Sequence, residues 1–494
     1  MASLQKKYSQ EKLFGQIYTP PFVVCKILND VGYKSKNILG KKILDPACGT
    51  GNFLTEVAKK IIKYSNTENL IKNLECIYGW DTNAKAVEEC IKNLNKLIDG
   101  KKLEIKWNIT VQDSMKKYKK NSFKKTEKFD FIVGNPPYIR IQHLNAVQRK
   151  YIQTNYFFCK SGSTDIYIAF YELCLNILAK NGVCGLITPN TFLFTETARE
   201  MRLYFAAHKN LLQITNYSDI QLFDNATTYS AITIFNMEEQ RKFLYQKAIS
   251  ETEFEEKNIE FSKLQEPFWQ LSTDKIEKIN GKKLKDICNI HVGITTLCDK
   301  AYIFNVELLN KKYVYANTKL KGRVKIERDI LKPIIKGSKL KDSNEKITEY
   351  VLFPYKKKMG KHTIIPENEL KKKYPLAYNY LLSVKEELDK RDNGVPNSVA
   401  WYAFGRSQGL DTSFGEKIIF SPMNHKPNFV YYKKRDCTFY SGYCIKYNGN
   451  VSKLLQQLNS QRMKDFVSMS SRDFRGGWKA YNKKVIENFE VIHT

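Results

Sequence analysis

The sequence has few histidines and no closely spaced pair of cysteines. Six histidines are scattered along 494 residues, and none of the eleven cysteines stands in a CxxC pair or in a spacing that repeats. A structural zinc site needs four such ligands at characteristic short spacings. The composition therefore predicts reduced cysteines in a core and no metal site.

Long apolar runs are lacking as well. The first residues, MASLQKKYSQEKLFGQ, have no apolar core of the kind that a signal peptide carries. No later segment offers the roughly 18 uninterrupted apolar residues of a membrane span. We therefore expect a soluble, cytoplasmic protein with no membrane partner.

Acidic residues are outnumbered by basic ones, 51 to 81, which gives a formal net charge of +30. The excess is denser towards the C-terminus, since residues 301–494 contain 37 Lys and Arg against 19 Asp and Glu, whereas residues 1–300 contain 44 against 32. Such a charge predicts a polyanionic partner, above all nucleic acid. A general lysine bias of the proteome is the alternative, because lysine far outnumbers arginine here.

Up to residue 240 the sequence alternates between strand-like and helix-like segments. Apolar runs such as KKIL, ECIYGW and FDFIVG are separated by segments whose apolar residues recur at spacings of three and four. This alternation predicts parallel strands joined by right-handed crossovers, an open doubly wound α/β sheet. Beyond residue 240 the pattern becomes lysine-rich and irregular. We predict an α/β domain over residues 1–240, a linker over 241–283 and a second domain over 284–494.

Three of the predicted strands end on acids, Asp45, Asp81 and Asp113. Ligands of a doubly wound sheet bind beyond the carboxyl ends of its strands. The first acid opens the turn DPACGTG, where Gly49 and Gly51 allow a ligand close to the backbone, and neither GxGxxG nor GxxxxGKS occurs there. An acid-lined pocket without a phosphate-binding turn favours a cationic ligand, S-adenosylmethionine, with Asp81 on the ribose and Asp113 on the adenine ring.

The strand FDFIVG runs directly into Asn135-Pro136-Pro137-Tyr138. The nitrogen of a planar amine or amide, such as the exocyclic amine of a base, is a poor nucleophile because its lone pair is delocalised. Hydrogen bonds accepted by the Asn135 side-chain oxygen and the Pro136 carbonyl would free that lone pair for in-line attack on the sulfonium methyl, and the prolines fix both acceptors. Tyr138 offers a flat face on which an extruded base can stack.

Taken in order, DPACGTGNFL, Asp81, Asp113 and NPPY resemble the motifs of the amino-methylating DNA methyltransferases. IYTPPFVV, residues 17–24, is similar to the additional N-terminal cofactor motif of the gamma-class, TaqI-like enzymes of that group. The resemblance implies adenine-N6 specificity, a seven-stranded, mostly parallel sheet with helices on both faces, and a C-terminal mixed α+β target-recognition domain. It also implies a set of cofactor-binding residues: Tyr18, Thr19, Pro20, Asp45, Pro46, Ala47, Gly49, Gly51, Asp81, Asp113 and Asn135.

The same resemblance implies double-stranded DNA as the partner. Basic segments after residue 284 look like the target-recognition region of the TaqI-like enzymes. The family has a second aromatic wall for the extruded base, but ungapped matching puts Ala198 there, so Phe194 or Phe192 is expected to serve instead. The residues predicted to touch DNA are Pro137, Arg140, Phe194, Arg406, Arg472, Arg475 and Trp478.

Two other functions remain open at this stage. NPPY occurs also in enzymes that methylate a protein glutamine amide or a guanine amino group in RNA, since the same acceptors suit any planar amine or amide. A DNA-binding specificity subunit without catalytic activity is the second alternative, against which the intact Asn135 and Tyr138 argue. Only about 15 residues precede IYTPP, too few for a nuclease domain. We therefore expect a monomeric modifying enzyme, acting alone or with a separate restriction endonuclease.

Overall fold

The computed structural model describes most of the chain, which divides into two compact units. The units are unit 1, Met1–Ile276, and unit 2, Glu277–Thr494. Each has hydrophobic clusters of its own. The described residues are 19–100, 103–117, 127–160, 164–223, 229–264, 268–269, 271–272, 281–471, 473–474 and 476–492.

Unit 1 has eight α-helices and nine β-strands in its described part. The helices are α1 (Pro21–Asp30), α2 (Asn52–Tyr64), α3 (Leu70–Leu74), α4 (Ala84–Lys96), α5 (Ser114–Lys117), α6 (Ala146–Asn155), α7 (Ile166–Ile177) and α8 (Arg199–His208). The strands are β1 (Ile43–Asp45), β2 (Ile77–Asp81), β3 (Asn108–Val111), β4 (Phe129–Gly134), β5 (Leu178–Pro189), β6 (Leu211–Asn216), β7 (Ser230–Phe235), β8 (Lys242–Ala248) and β9 (Phe254–Glu260).

All nine strands belong to one sheet, in the order β3-β2-β1-β4-β5-β7-β6-β8-β9. Neighbours from β3 to β5 pair in parallel, whereas β7 runs antiparallel between β5 and β6. β8 is parallel to β6, and β9 is antiparallel to β8. The predicted doubly wound, mostly parallel sheet is confirmed.

Helices cover both faces of this sheet. Successive strand residues point to opposite faces, so Ile43 and Val133 belong to one hydrophobic cluster while Leu44 and Ile132 belong to the other. Apolar residues of α1, α2 and α4 complete the first cluster, and those of α7 and α8 complete the second. Two buried layers therefore enclose the central strands.

The sheet has two strands, β8 and β9, beyond the seven predicted. They lie in the range 241–283, which was predicted to be a linker. β8 pairs with β6 and buries Phe243 and Tyr245, while β9, FEEKNIE, forms the edge and is largely exposed. An edge strand has one side in water and is commonly charged, so its composition hides the alternation that reveals inner strands. The described sheet has nine strands, and residues 242–260 are part of it.

Unit 2 has eight α-helices and seventeen β-strands in its described part. The helices are α9 (Leu284–Ile287), α10 (Asp299–Tyr302), α11 (Glu367–Lys373), α12 (Pro375–Ser383), α13 (Lys385–Asp389), α14 (Val451–Leu458), α15 (Gln461–Ser470) and α16 (Lys483–Ile486). The strands up to Lys358 are β10 (Lys282–Lys283), β11 (Asn289–Val292), β12 (Ile303–Leu309), β13 (Tyr313–Thr318), β14 (Gly322–Glu327), β15 (Leu331–Lys336), β16 (Glu349–Leu352) and β17 (Tyr355–Lys358). The later strands are β18 (Lys361–Ile364), β19 (Lys417–Phe420), β20 (Met423–Asn424), β21 (Phe429–Tyr432), β22 (Thr438–Tyr440), β23 (Tyr443–Lys446), β24 (Asp473–Phe474), β25 (Trp478–Ala480) and β26 (Glu490–Val491).

These strands of unit 2 form several small sheets. The largest has the order β14-β13-β12-β16-β15-β22, and a second has the order β11-β23-β19-β21. Smaller groups are β20-β25-β24, β10-β26 and the separate hairpin β17-β18. Helices pack against the two larger sheets in distinct hydrophobic clusters. The predicted mixed α+β architecture of the second domain is confirmed.

No helix among the described residues has the length and apolar content needed to cross a bilayer. All eleven cysteines are free thiols, most of them buried. In the described ranges no group of three or more His, Cys, Asp or Glu side chains is placed to hold a metal ion.

The packing of α1 on the sheet yields a stability prediction at Gly185 in β5. A Cβ atom added there would lie 2.6 Å from Val31 Cγ1 and 2.9 Å from Ile27 Cγ2. Both neighbours are stiff β-branched side chains. We expect Gly185→Ala to lower the free energy of unfolding by about 1–3 kcal/mol through overpacking, as measured by urea denaturation followed by tryptophan fluorescence. An unchanged unfolding midpoint would contradict this packing.

Candidate active site

The turn between β1 and α2 places two glycines with left-handed backbone conformation. Gly49 has φ +51° and Gly51 has φ +90°, values that L side chains rarely adopt. A Cβ at Gly49 would meet no atom within 4 Å, whereas one at Gly51 would lie 2.6 Å from Cys90 Sγ in α4. One side of the turn is therefore open to a ligand, and the other packs tightly on a helix.

Hydrogen bonds from neighbouring strand ends hold this turn in place. The Cys48 N–H donates to the Trp80 carbonyl at the end of β2, at 3.0 Å. The Ser114 hydroxyl, just beyond β3, donates to the Pro46 carbonyl. The turn is thus tied to the ends of two other strands, with Ala47 half-buried between the two bonds.

Asp45, the last residue of β1, is 2% exposed. Its Oδ1 accepts the Ala47 N–H at 3.0 Å. Burial raises the pKa of Asp45 to about 8, the Ala47 N–H opposes this shift, and the nearby charge of Asp81 adds to it. A buried carboxyl group of this kind ionises more readily when a cation is placed beside it.

Asp81 ends β2 and joins the turn to the next helix. Its Oδ2 accepts the Gly49 N–H at 2.9 Å, and its Oδ1 accepts the Asn83 N–H at 2.8 Å. The Asn83 side chain in turn caps α4 by accepting the Lys85 and Ala86 N–H groups. The Asp81 carboxylate is therefore fixed in orientation at the edge of the sheet.

Asp113 lies two residues beyond β3, next to α5. Its Oδ1 accepts the Met115 N–H at 3.0 Å, and its Oδ2 is 3.1 Å from Lys116 Nζ. Because β1, β2 and β3 are adjacent and parallel, the three predicted acids end side by side at one edge of the sheet. The structure thus brings Asp45, Asp81 and Asp113 together as predicted.

Asn135 follows β4, which pairs in parallel with β1 on the side opposite β2. Its Nδ2 donates to Thr19 Oγ1 at 3.1 Å, and Thr19 is 2% exposed. The adjoining Pro20 and Pro21 begin α1. The N-terminal motif therefore lies against the asparagine, and this contact restrains the rotation of the Asn135 amide.

Tyr138 is half-buried, and its ring is held at one end. The hydroxyl donates to the Ile187 carbonyl at 3.3 Å, and the ring meets Tyr167 edge to face with centroids 6.3 Å apart. Burial raises the pKa of the Tyr138 hydroxyl, so it stays neutral. Of the two prolines before it, Pro136 is buried and Pro137 is half-buried.

Gly134 was not among the predicted site residues. A Cβ there would lie 2.7 Å from Asp45 Oδ1. The absence of a side chain at Gly134 therefore makes room for the buried carboxyl group. A glycine that ends the apolar run FDFIVG was the available signal, since glycine inside a strand pattern often marks a close approach.

The second aromatic wall stays a prediction, and its two candidate phenylalanines differ in exposure. Phe192 is 1% exposed and packs against Tyr171 at 6.0 Å, so it belongs to the core. Phe194 remains half-buried, and Ala198 is fully buried. Arg140, two residues after the NPPY motif, is exposed, and its backbone forms an isolated antiparallel β-bridge with that of Asp165. Phe194 is thus the better placed of the two phenylalanines for contact with a ligand.

The predicted DNA-facing residues of unit 2 are described only in part. Arg406 is exposed, makes a two-pronged ion pair with Asp392 at 2.9 and 3.0 Å, and lines a cavity of about 1010 Å³. Trp478 is 39% exposed and lies 4.1 Å, centroid to centroid, from the ring of His425. Tyr18, Arg472 and Arg475 fall outside the described residues.

The strand order, with the antiparallel β7 inserted between β5 and β6 and a turn open to a ligand after β1, defines a mixed α/β methyltransferase fold. A comparison of the whole fold agrees with this class. The type IIL restriction-modification enzyme MmeI, solved in complex with DNA, superposes with a TM-score of 0.60 at 12% identity. The match covers 95% of this chain and 65% of that one.

Sequence comparisons find similarity to methylases of restriction-modification systems. Residues 35–223 match the model of the Eco57I restriction-modification methylase family. The chain is 25% identical, over 95% of its length, to the type II restriction enzyme and methyltransferase RM.Eco57I of Escherichia coli, and spans 56% of that protein. It is also 25% identical, over 88% of its length, to the type II methyltransferase M.BanIII of Aneurinibacillus aneurinilyticus, of which it spans 81%.

The site residues fit S-adenosylmethionine, the cofactor expected from the sequence. The open side of Gly49 leaves room beside the backbone, and the buried Asp45 favours a cationic group. Asp81 and Asp113 retain partly exposed carboxylates that can accept hydrogen bonds from hydroxyl or amino groups. Thr19, Pro20 and Asn135 would complete the enclosure of such a ligand.

The pKa of Asp45 makes cofactor affinity depend on pH. Below about pH 8 the carboxyl is mostly protonated and must release a proton before it can attract a cation, so affinity should fall by up to about tenfold per pH unit. Asp45→Asn should bind more weakly above pH 8 and lose this part of the dependence. Calorimetric titration with S-adenosylmethionine at several pH values measures the affinity and its pH dependence for the wild type and the variant.

Two controls accompany the measurement. The cofactor's own amino group titrates alike with wild type and variant, so their difference isolates Asp45. Asp99→Asn removes an exposed acid whose Oδ1 accepts the Gly100 N–H and should leave the pH profile unchanged. An identical pH profile for Asp45→Asn and wild type would refute the role given to Asp45.

Proposed function

We propose that the chain is a site-specific DNA adenine-N6 methyltransferase that transfers a methyl group from S-adenosylmethionine to an adenine flipped out of duplex DNA. The observation that carries the proposal is the placement of Asn135. Its amide is restrained by Thr19 at the end of β4, one strand away from the acid-lined turn after β1. An amine acceptor and a candidate cofactor site therefore share one edge of the sheet.

The chemistry requires positioned acceptors and an oriented base. S-adenosylmethionine supplies an electrophilic methyl group when bound. The Asn135 side-chain oxygen and the Pro136 carbonyl accept hydrogen bonds from the target amine, which localises its lone pair on nitrogen. Tyr138 stacks on the flipped base, and its hydroxyl bond to the Ile187 carbonyl keeps the ring in position.

Duplex DNA is the substrate favoured by charge and by the relatives. The formal charge of +30 suits a polyanion. RM.Eco57I is named as a type II restriction enzyme and methyltransferase, M.BanIII is named as a type II methyltransferase, and MmeI was solved with DNA. Unit 2 would then act as the target-recognition domain, with Arg406 and Trp478 on the DNA side.

The protein would work as a monomer, alone or with a separate restriction endonuclease. Methyl transfer to RNA or to a protein amide is the competing activity, because the NPPY geometry serves those substrates too. Incubation with tritiated S-adenosylmethionine and duplex DNA, RNA or protein separates the three. We expect label in DNA alone, on N6 of adenine after nucleoside analysis. Label in RNA or protein alone would overturn the proposal.

Asn135→Ala should nearly abolish methyl transfer while cofactor affinity stays within a few fold. The variant removes the side-chain acceptor for the target amine but leaves the acids that hold the cofactor. Asn145→Ala is the matched control, since it also removes an amide and only uncaps α6, where Asn145 Oδ1 accepts the Gln148 N–H. Turnover of the Asn135 variant equal to that of the control would refute the role of the amide.

Two substitutions at Tyr138 distinguish the contribution of ring stacking from that of the hydroxyl hydrogen bond. Tyr138→Ala should lower kcat/KM for DNA by a factor that corresponds to about 1–3 kcal/mol of lost stacking. Tyr138→Phe keeps the ring and removes the hydroxyl with its bond to the Ile187 carbonyl, so it should retain most activity. Equal losses in the two variants would show that the hydroxyl, not the stacking face, matters.

A further inference from the structure

A lysine-rich hairpin, β17-β18, stands apart from the other sheets of unit 2. Its register pairs Tyr355 with Ile364, Lys356 with Thr363, Lys357 with His362 and Lys358 with Lys361. Met359 and Gly360 form the two-residue turn, with φ +48° and +81° as in a type I′ turn. Within the described residues these two strands pair only with each other.

The base of the hairpin is firmly anchored. The Tyr355 hydroxyl accepts the Phe404 N–H at 2.7 Å. Asp411 Oδ1 lies 2.8 Å from the His362 backbone nitrogen and 2.7 Å from its Nδ1. The His362 ring packs edge to face on Phe353 at 5.1 Å. The outer residues are therefore presented from a rigid support.

The outer part of the hairpin concentrates positive charge. Lys356 forms an ion pair with Glu369, while Lys357, Lys358 and Lys361 are exposed and pair with no acid in the described part of the chain. Because residues directly opposite each other share a face of a ribbon, Lys358 and Lys361 lie on one face and Lys357 on the other. The face of Lys358 and Lys361 is thus basic, whereas Lys357 shares its face with Tyr355 and His362, which anchor the hairpin.

Several features of the tip are unfavourable for the stability of the hairpin itself. Lys358 lies directly opposite Lys361, and like charges in that position destabilise a strand pair. Met359 has a left-handed conformation that favours Gly, Asn or Asp. Its side chain is 96% exposed although it is apolar. Residue choices that are locally unfavourable for the fold are typical of functional sites. Three of them occur together at the tip of this anchored hairpin.

We propose that the β17-β18 hairpin enters the major groove of duplex DNA, with Met359 against the base edges and Lys357, Lys358 and Lys361 on the flanking phosphates. A two-stranded ribbon fits the major groove, lysines position a protein on phosphates, and an apolar side chain can contact the methyl group of thymine there. This inference rests on the proposed function, which makes duplex DNA the substrate.

The salt dependence of DNA binding tests the lysines. We expect the triple variant Lys357→Gln, Lys358→Gln, Lys361→Gln to flatten the slope of log affinity against log salt by about 2–3, since each lost phosphate contact removes about 0.9. The control triple Lys72→Gln, Lys92→Gln, Lys96→Gln removes the same charge from α3 and α4 of unit 1. Fluorescence anisotropy with a short labelled duplex measures both, and equal slopes for the two triples would overturn the proposal.

Substitutions at Met359 test whether the tip of the hairpin contacts DNA, and they can be chosen so that the turn is not destabilised. Asn tolerates the left-handed conformation, so Met359→Asn should keep the melting temperature while KM for unmethylated genomic DNA rises by about tenfold. Met359→Leu preserves the apolar bulk and should stay close to wild type. A wild-type KM for Met359→Asn would show that the methionine does not contact DNA.

The wild-type protein distinguishes this inference from the proposed function. If it methylates DNA and the hairpin variants match their controls, the hairpin assignment fails and the methyltransferase assignment stands. If the wild type binds S-adenosylmethionine but neither binds nor methylates duplex DNA, the proposed substrate fails, and the hairpin assignment fails with it. All hairpin variants should bind the cofactor like wild type.

Discussion

The parallel pairing of β1 with β4 is the constraint on which the candidate site depends. Ile43 lies opposite Phe131 and Leu44 opposite Ile132, so Asp45 and the Gly134-Asn135 step emerge at the same edge of the sheet. A shift of one residue would turn the side chains of a strand to the other face. The acid-lined turn and Asn135 are neighbours because this register is fixed by two buried layers.

Much of unit 1 could be predicted because its central strands obey simple rules. Strands that are buried on both faces consist of uninterrupted apolar residues, and their ends are marked by the polar residues that follow. The strand ends at Asp45, Asp81, Asp113 and Asn135 could therefore be predicted, and the structure places them on adjacent parallel strands. The lateral order of the strands, and the cavity that Gly134 leaves for Asp45, depend on contacts between distant segments and had no local signal beyond a single glycine.

The prediction was weaker where strands are exposed or paired over long distances. β9 carries charges on its open side and so lacked a strand pattern. In unit 2, Asn289 pairs with Lys446 and Ile334 with Thr438, partners that no local pattern identifies. The resemblance to target-recognition regions could not indicate which basic residues would be held by acids, as Arg406 is by Asp392, and which would not.

The contact between Gly51 and Cys90 has an evolutionary consequence. The thiol occupies the space where a side chain at residue 51 would stand, 2.6 Å from its Cβ position. A side chain at residue 51 would therefore require the Cys90 side chain or the turn to shift. The residue that can be accepted at position 51 thus depends on what stands at position 90, which couples the turn after β1 to α4.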